Sequence, residues 1–422
     1  MRPFFRPLAF LVVGFLWILV AVLTGCTVFV SMTMGHLHGQ AIRSIHVHSA
    51  LVGGVMQIIA GLLLAGRKQR TAQPAIFVAF NLGTLGLLIG QALGHWPLMS
   101  LAGLTLLGAC FPLKEDLIRE AHQSPVSPPL RCWFYGLAML SLVSGLLVGV
   151  AAPLRLIPYA LIGQGRLAHI HLLIQGFVLL TLVGAIHARF PTELERRLKS
   201  PPLGELTFGL LPLGLVGLLT GFLTAQLKVQ IASGAVMLLA ALLFGYNILR
   251  TWLEASRPRS PASDLYLIAA FYLIVAVASG LAVTVNLFEQ PPFVPFGPLH
   301  LAGYTHLAFI GFILLSLLGT LTDLLPQLAA EERLRRDKER GPYAARLARI
   351  LGQWTRFQLW TISLGTMGLA LTAALLWQYP LKAWPVVTTA WASALSLVTG
   401  FASFAVQVIR VLIEDPQPAA QA

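Results

Sequence analysis

The chain alternates between long apolar runs and short segments that concentrate proline, glycine and charge. A bilayer core takes roughly 20 apolar residues per helix. Runs of that kind fall at 8–30, 46–66, 73–94, 97–113, 133–154, 169–188, 203–226, 229–249, 264–287, 300–323, 353–377 and 384–411. The pattern predicts an all-α, polytopic membrane protein with twelve transmembrane helices. Only the turn at His95, Trp96 and Pro97 separates the third span from the fourth. Leu23-Thr24-Gly25-Cys26 has the form of a lipoprotein cleavage box. The apolar run continues past it through Val28, Phe29 and Val30, so the segment reads as a span.

Composition agrees. Hydrophobic residues make up 57% of the 422 and charged ones only 11%. The charged share is about half that of an average soluble domain, too little to coat a water-soluble globule. Three cysteines cannot frame a disulfide scaffold. A net charge of +13 raises the question of nucleic acid, and the positions of the charges answer it. With the N-terminus in the cytoplasm, the outer segments hold only Arg43, Arg155, Arg166, Lys228 and Lys382 of the 29 basic residues. The other 24 lie on the inner side, including Arg67, Lys68 and Arg70 and most of the 329–350 run, which reads as a cytoplasmic amphipathic helix. This is the positive-inside bias. It predicts cytoplasmic termini, membrane lipid as the partner and no nucleic acid.

Self-comparison reveals a repeat. His46-Val47-His48, His169-Ile170-His171 and Tyr304-Thr305-His306 each open an apolar segment. Counting from the last histidine, glycine recurs at +5 (Gly53, Gly176, Gly311) and at +13 (Gly61, Gly184, Gly319). Proline follows at +20 in the second and third copies (Pro191, Pro326). The spacing predicts three pseudo-symmetric four-helix units, about 1–125, 126–260 and 261–422, with the histidines on the second helix of each. The glycines let either a neighbouring helix or a flat macrocycle approach closely.

Histidine inside a span is costly and is usually functional. Neutral imidazole is a common axial ligand of heme iron. Residues i and i+2 of a helix point about 200° apart, so the two histidines of a pair face different ways. Other histidines read differently. His36, His38, His95 and His122 fall in loops, and His187 falls at the headgroups of the inner side. Gln57, Gln91 and Gln175 are polar positions within apolar spans, and Trp96, Trp252, Trp354 and Trp384 read as interface anchors.

Twelve helices in three groups of four, with histidines on helices two, six and ten, resemble the catalytic subunit of the heme-copper oxidase superfamily. The text around His171 and His306 resembles the cbb-type cytochrome oxidases and nitric oxide reductases. The resemblance implies a low-spin heme b held by His48 and His306. It places the ligand of a second heme at Tyr304, where the family has histidine. It places a copper ligand at His171 or His169. The family takes two further copper ligands from helix seven, which here contains no histidine. His169, His171 and His46 are then left to a second heme or an isolated metal, with His300 as a reserve ligand. The implied role is electron transfer within a respiratory complex of a bacterial or archaeal cytoplasmic membrane. Electrons would come from a c-type cytochrome or a quinol, beside other respiratory subunits. The alternatives are an active oxygen or nitric oxide reductase with an unusual binuclear site, a twelve-span secondary transporter, and a heme or nitric oxide sensor.

Overall fold

The computed structural model describes residues 7–33, 40–65, 73–122, 129–255, 260–334 and 336–416. His36, His38, Arg67, Lys68 and Arg70 lie outside the described residues, as does the side chain of His122. Every regular element among the described residues is helical. Twelve helices are long and apolar enough to cross a membrane. They are α1 (Pro7–Ser31), α2 (Ala41–Leu64), α3 (Gln73–Leu93), α4 (Trp96–Leu113), α5 (Leu130–Ala151), α6 (Tyr159–Glu193), α7 (Pro201–Leu223), α8 (Leu227–Leu253), α9 (Pro261–Phe288) and α10 (Pro298–Arg333), then α12 (Thr355–Leu375) and α13 (Trp384–Ile413). The predicted amphipathic segment forms α11 (Asp337–Gly352), which buries Tyr343, Leu347 and Leu351 along one face. The protein is therefore a multi-pass membrane protein.

The twelve spans match the hydropathy reading, including the division of α3 from α4. Gly94 adopts φ +62° there, and His95 N–H closes back onto the Gly90 carbonyl at 2.8 Å, the Schellman ending of a helix. The histidine-bearing helices differ from expectation at their starts. α6 begins ten residues before His169, at Tyr159, and α10 begins at Pro298. Gln164 and Arg166 interrupt the apolar run without interrupting the helix. The histidines consequently sit inside continuous helix, where the backbone around them is already hydrogen-bonded.

These three helices share a departure from α geometry. Eight residues directly after His48 (Ser49–Met56), after His171 (Leu172–Leu179) and after His306 (Leu307–Leu314) are π-helical. In each case the histidine is the last residue of the preceding α segment. The i→i+5 bonds of a π stretch widen the helix to roughly 4.4 residues per turn, and such stretches are frequent at functional sites.

The glycines of the repeat serve helix packing. A Cβ at Gly53 or Gly61 would meet Trp17 or Phe10 of α1 at 2.5 or 2.7 Å. At Gly176 and Gly184 it would meet Ser141 and Phe134 of α5, at 2.4 and 2.6 Å. At Gly311 and Gly319 it would meet Tyr272 and Tyr266 of α9, at 2.4 and 2.9 Å. The glycine stripe is thus covered by the first helix of each group, and the macrocycle reading of these glycines is not what the packing uses.

The chain divides into two compact units. The first comprises Met1–Arg189, Leu198–Asn247 and Val277–Phe293, and contains His46, His48, His169, His171 and His187. The second comprises Phe190–Arg197, Ile248–Ala276 and Val294–Ala422, and contains His300, Tyr304 and His306.

Candidate functional site

The two histidines of each pair have different surroundings. His46 donates from Nδ1 to the carbonyl of Ala21 on α1 at 2.8 Å, and His169 donates likewise to Gly145 on α5 at 2.8 Å. Each ring lies over a glycine one turn further along the same partner helix. A Cβ on Gly25 or Gly149 would come within 2.8 or 2.7 Å of the imidazole Cε1. His46 and His169 therefore bolt α2 to α1 and α6 to α5.

The other member, 200° or so around the helix, faces the third helix of its group. His48 meets Gln91 of α3, whose amide nitrogen lies 3.0 and 3.3 Å from the two ring nitrogens. His171 packs against Phe222 of α7, with ring centroids 4.5 Å apart.

His48, His171 and His306 share one hydrogen bond. Nδ1 of each lies against the carbonyl four residues earlier in its own helix: Ser44 at 2.8 Å, Leu167 at 2.8 Å and Ala302 at 2.6 Å. A carbonyl only accepts, so Nδ1 carries the proton and the lone pair resides on Nε2. This is the tautomer in which imidazole binds iron, with the opposite nitrogen anchored to orient the ring. The donor set fits axial ligation of heme.

His300 has the opposite arrangement. Its Nδ1 accepts the N–H of Gly297 at 3.1 Å, so the proton sits on Nε2. The ring stacks on Trp377 at 5.6 Å and 13°, and Trp377 Nε1 donates to the carbonyl of Pro295 at 2.9 Å. His300 is a capping residue at the start of α10, and as a reserve ligand it would have to give up that role. Tyr304, the counterpart of His46 and His169 in the third copy, is half-buried in the first turns of α10.

His187 lies near the end of α6, enclosed by aromatic rings. It is buried, stacked on Phe134 at 5.7 Å and flanked by Phe244 at 5.1 Å. Its Nδ1 donates to Val183 at 2.9 Å, and Nε2 has no protein partner. Gln57 is fully buried with both amide atoms unpartnered. Among the described residues, no group of three or more His, Cys, Asp or Glu side chains is placed to hold a metal ion.

A second repeat runs beside the histidine one. The third helices carry Leu82-Gly83-x-x-Gly86, Leu213-Gly214-x-x-Gly217 and Leu364-Gly365-x-x-Gly368. Gly83, Gly214 and Gly365 abut Leu106, Met237 and Leu397, while Gly86, Gly217 and Gly368 abut Ala102, Ser233 and Ser393, one turn away on the fourth helix. α3 and α7 also end alike: Gln226 N–H closes onto Gly221 as His95 does onto Gly90, with Ala225 at φ +52° in the place of Gly94. This register places Gln91, Phe222 and Ala373 at corresponding positions. Ala373 in turn lies against Gly303, three residues before His306. No protein-family model matches the chain, and no curated protein matches it.

Proposed function

We propose that this protein is a heme-b-binding integral membrane protein that transfers electrons, built as three related four-helix units with both termini in the cytoplasm. His48 and His306, the pair that the resemblance implies, would hold the heme. The observation that carries the reading is the shared state of His48, His171 and His306. Each ends an α segment at a π stretch, and each has Nδ1 tied to its own helix and the lone pair on Nε2. One such histidine is ordinary; the same device at three related places favours a common chemical task.

A low-spin heme held this way carries one electron between the ferric and ferrous states. The chain's own part is to orient the imidazoles and to keep water from the iron. His46 and His169 contribute indirectly, by fixing the helices that carry the ligands. The chain has no Cys-x-x-Cys-His, so heme would be held without thioether bonds. A c-type cytochrome or quinol would supply the electrons, beside other respiratory subunits. The His-free α7 supports electron transfer over gas reduction at a three-histidine copper site.

The test is a reduced-minus-oxidised spectrum of the purified protein with iron and copper analysis. A bis-imidazole heme b spectrum that disappears in both His48→Ala and His306→Ala is the expected result. Absence of heme from protein made in heme-replete cells would overturn the reading.

A further inference from the structure

Gln353 and Trp354 join α11 to α12, and three arginines gather at that turn. Arg349 lies in the last turn of α11 and Arg356 in the first turn of α12. Arg410, in the last turn of α13, donates to Gln353 Oε1 at 2.8 Å and to Gln407 Oε1 at 3.1 Å. Both acceptors are neutral, so the charge of Arg410 stays unbalanced. Arg349 and Arg356 are exposed, and neither has a protein partner among the described residues. Glu414, one turn beyond Arg410, is engaged by Arg346. The cluster borders an apolar surface. Trp354 and Phe357, next to the arginines in the chain, are 42% and 49% exposed. Trp360, Leu364, Met367 and Leu371 continue along one exposed face of α12, three or four residues apart. α12 is long and apolar enough to cross a membrane. That face therefore meets acyl chains, and the arginines at its end stand at the depth of headgroups, with Trp354 as an interface anchor.

We infer that this turn is a binding site for an anionic phospholipid. Arg349, Arg356 and Arg410 take the headgroup phosphate, and the stripe from Trp360 to Leu371 takes an acyl chain. Guanidinium forks match phosphate oxygens and are weakly hydrated, so they give up water readily. Three cations without a carboxylate partner favour a lipid with net negative charge, because a zwitterionic headgroup brings a cation of its own. A free phosphate makes no use of the apolar stripe, which is why the occupant is a lipid. The site lies wholly within the second unit, and it stands or falls independently of the heme reading.

The experiment titrates full-length protein in detergent with phosphatidylglycerol, or with phosphatidylcholine of the same acyl chains, and counts bound lipid by native mass spectrometry. The proteins compared are wild type, the double variant Arg349→Gln with Arg356→Gln, and Lys382→Gln. Lys382 is exposed at the opposite end of α12, so it controls for net charge. One basic residue near an anionic headgroup is worth about fivefold in affinity. Wild type is expected to bind phosphatidylglycerol more tightly than phosphatidylcholine. The double variant should lose roughly twentyfold for phosphatidylglycerol and little for phosphatidylcholine, and Lys382→Gln should lose nothing. Neither arginine makes a bond within the protein, so the double variant should unfold at the wild-type midpoint. If it does not fold, Arg349→Gln alone, with an expected loss of about fivefold, replaces it. Equal affinity of wild type for the two lipids overturns the inference. So does an undiminished affinity in the arginine variants, or an equal loss in Lys382→Gln. Displacement of phosphatidylglycerol by inorganic phosphate at matched concentration would make this a free-anion site and overturn the assignment to lipid.

Discussion

His169 lies on Gly149: a Cβ at that glycine would come 2.7 Å from the imidazole Cε1, and the same ring donates to the Gly145 carbonyl one turn away. The absence of a side chain at Gly149 is what allows an imidazole to reach the backbone of a neighbouring helix. Gly149→Ala is therefore expected to push the ring off its acceptor and to cost about 1–3 kcal/mol, from one lost hydrogen bond and local overpacking. Thermal unfolding in detergent reads this directly. Gly108, with open space where its Cβ would go, is the control, and Gly108→Ala should leave the midpoint nearly unchanged. Equal midpoints for the two variants would refute the joint.

The same geometry separates the histidines of each pair by role. His46→Ala and His169→Ala remove a bond between helices and should lower the unfolding midpoint. His171→Ala and His306→Ala each remove a bond to a carbonyl of their own helix, where the freed carbonyl keeps its ladder partner. They should cost less, on the order of 0.5 kcal/mol. On the proposed function, the heme spectrum moves the other way, lost in His48→Ala and His306→Ala and retained in His46→Ala. A stability ranking that does not divide along these lines would contradict the assignment of faces.

Tyr272 illustrates how the π stretch of α10 is seated. Its ring occupies the space over Gly311, and its hydroxyl donates to the carbonyl of Ser363 on α12 at 2.8 Å. Tyr272→Phe keeps the ring and should cost only about 1 kcal/mol. Gly311→Ala would drive a methyl into the buried ring and should cost about 1–3 kcal/mol. A double variant, Gly311→Ala with Tyr272→Ala, should recover part of the Gly311→Ala loss, because the clash has gone. Simple additivity of the two single changes would show that the glycine and the ring do not share this contact.

The twelve spans were legible because hydropathy over 20 residues or so is a strong signal. The positions of His48, His171 and His306 were legible because the glycines at +5 and +13 marked the same register three times. Their orientation was not. A π stretch changes which residues share a face but leaves no residue-type signature, so Ser49–Met56 reads the same as ordinary helix. The purpose of Gly53 or Gly311 was likewise open, because the residue that fills the space, Trp17 or Tyr272, comes from another helix. The aromatic enclosure of His187 was not legible, because Phe134 and Phe244 lie on helices remote in sequence. The Leu-Gly-x-x-Gly repeat of the third helices was within reach of the sequence. It carries no ionisable residue to mark it chemically, and it is the feature that brings Gln91 and Phe222 into register.

Asn247 offers a test of how the end of α8 is fastened within the first unit. Its side-chain amide forms a two-way bond with the backbone of Ser200, accepting the N–H at 3.0 Å and donating to the carbonyl at 2.8 Å. Ser200 is the N-cap of α7, so its N–H has no partner within the helix and the side chain supplies one. Asn247 is buried. Asn247→Leu should leave both groups of Ser200 unsatisfied and cost about 2–4 kcal/mol, while Asn247→Asp, which keeps only an acceptor, should fall in between. Hydrogen exchange at Ser200 should accelerate in both. Unchanged exchange in Asn247→Leu would show that solvent or another group already serves Ser200.

Arg333 closes the second unit at the end of α13. Its guanidinium donates to the carbonyls of Val411 at 3.1 Å and Glu414 at 2.7 Å, also to Leu412, and to the Tyr343 hydroxyl at 2.6 Å. Tyr343 in turn donates to Glu414, and Arg346 forms an ion pair with the Glu414 side chain. The last carbonyls of a helix have no partners of their own and carry its negative dipole end. A planar cation with five donors can serve several of them at once, and an ammonium cannot match that geometry. Arg333→Lys should therefore keep the charge yet lose most of the clamp. Arg333→Ala should lose all of it, costing about 2–3 kcal/mol by the scale of charge-assisted bonds. The expected readout is faster hydrogen exchange over residues 411–414 in both variants, with exchange in the middle of α13 unaltered. If Arg333→Lys protects that segment as well as arginine does, charge alone holds the helix end, and the forked geometry of the guanidinium is incidental.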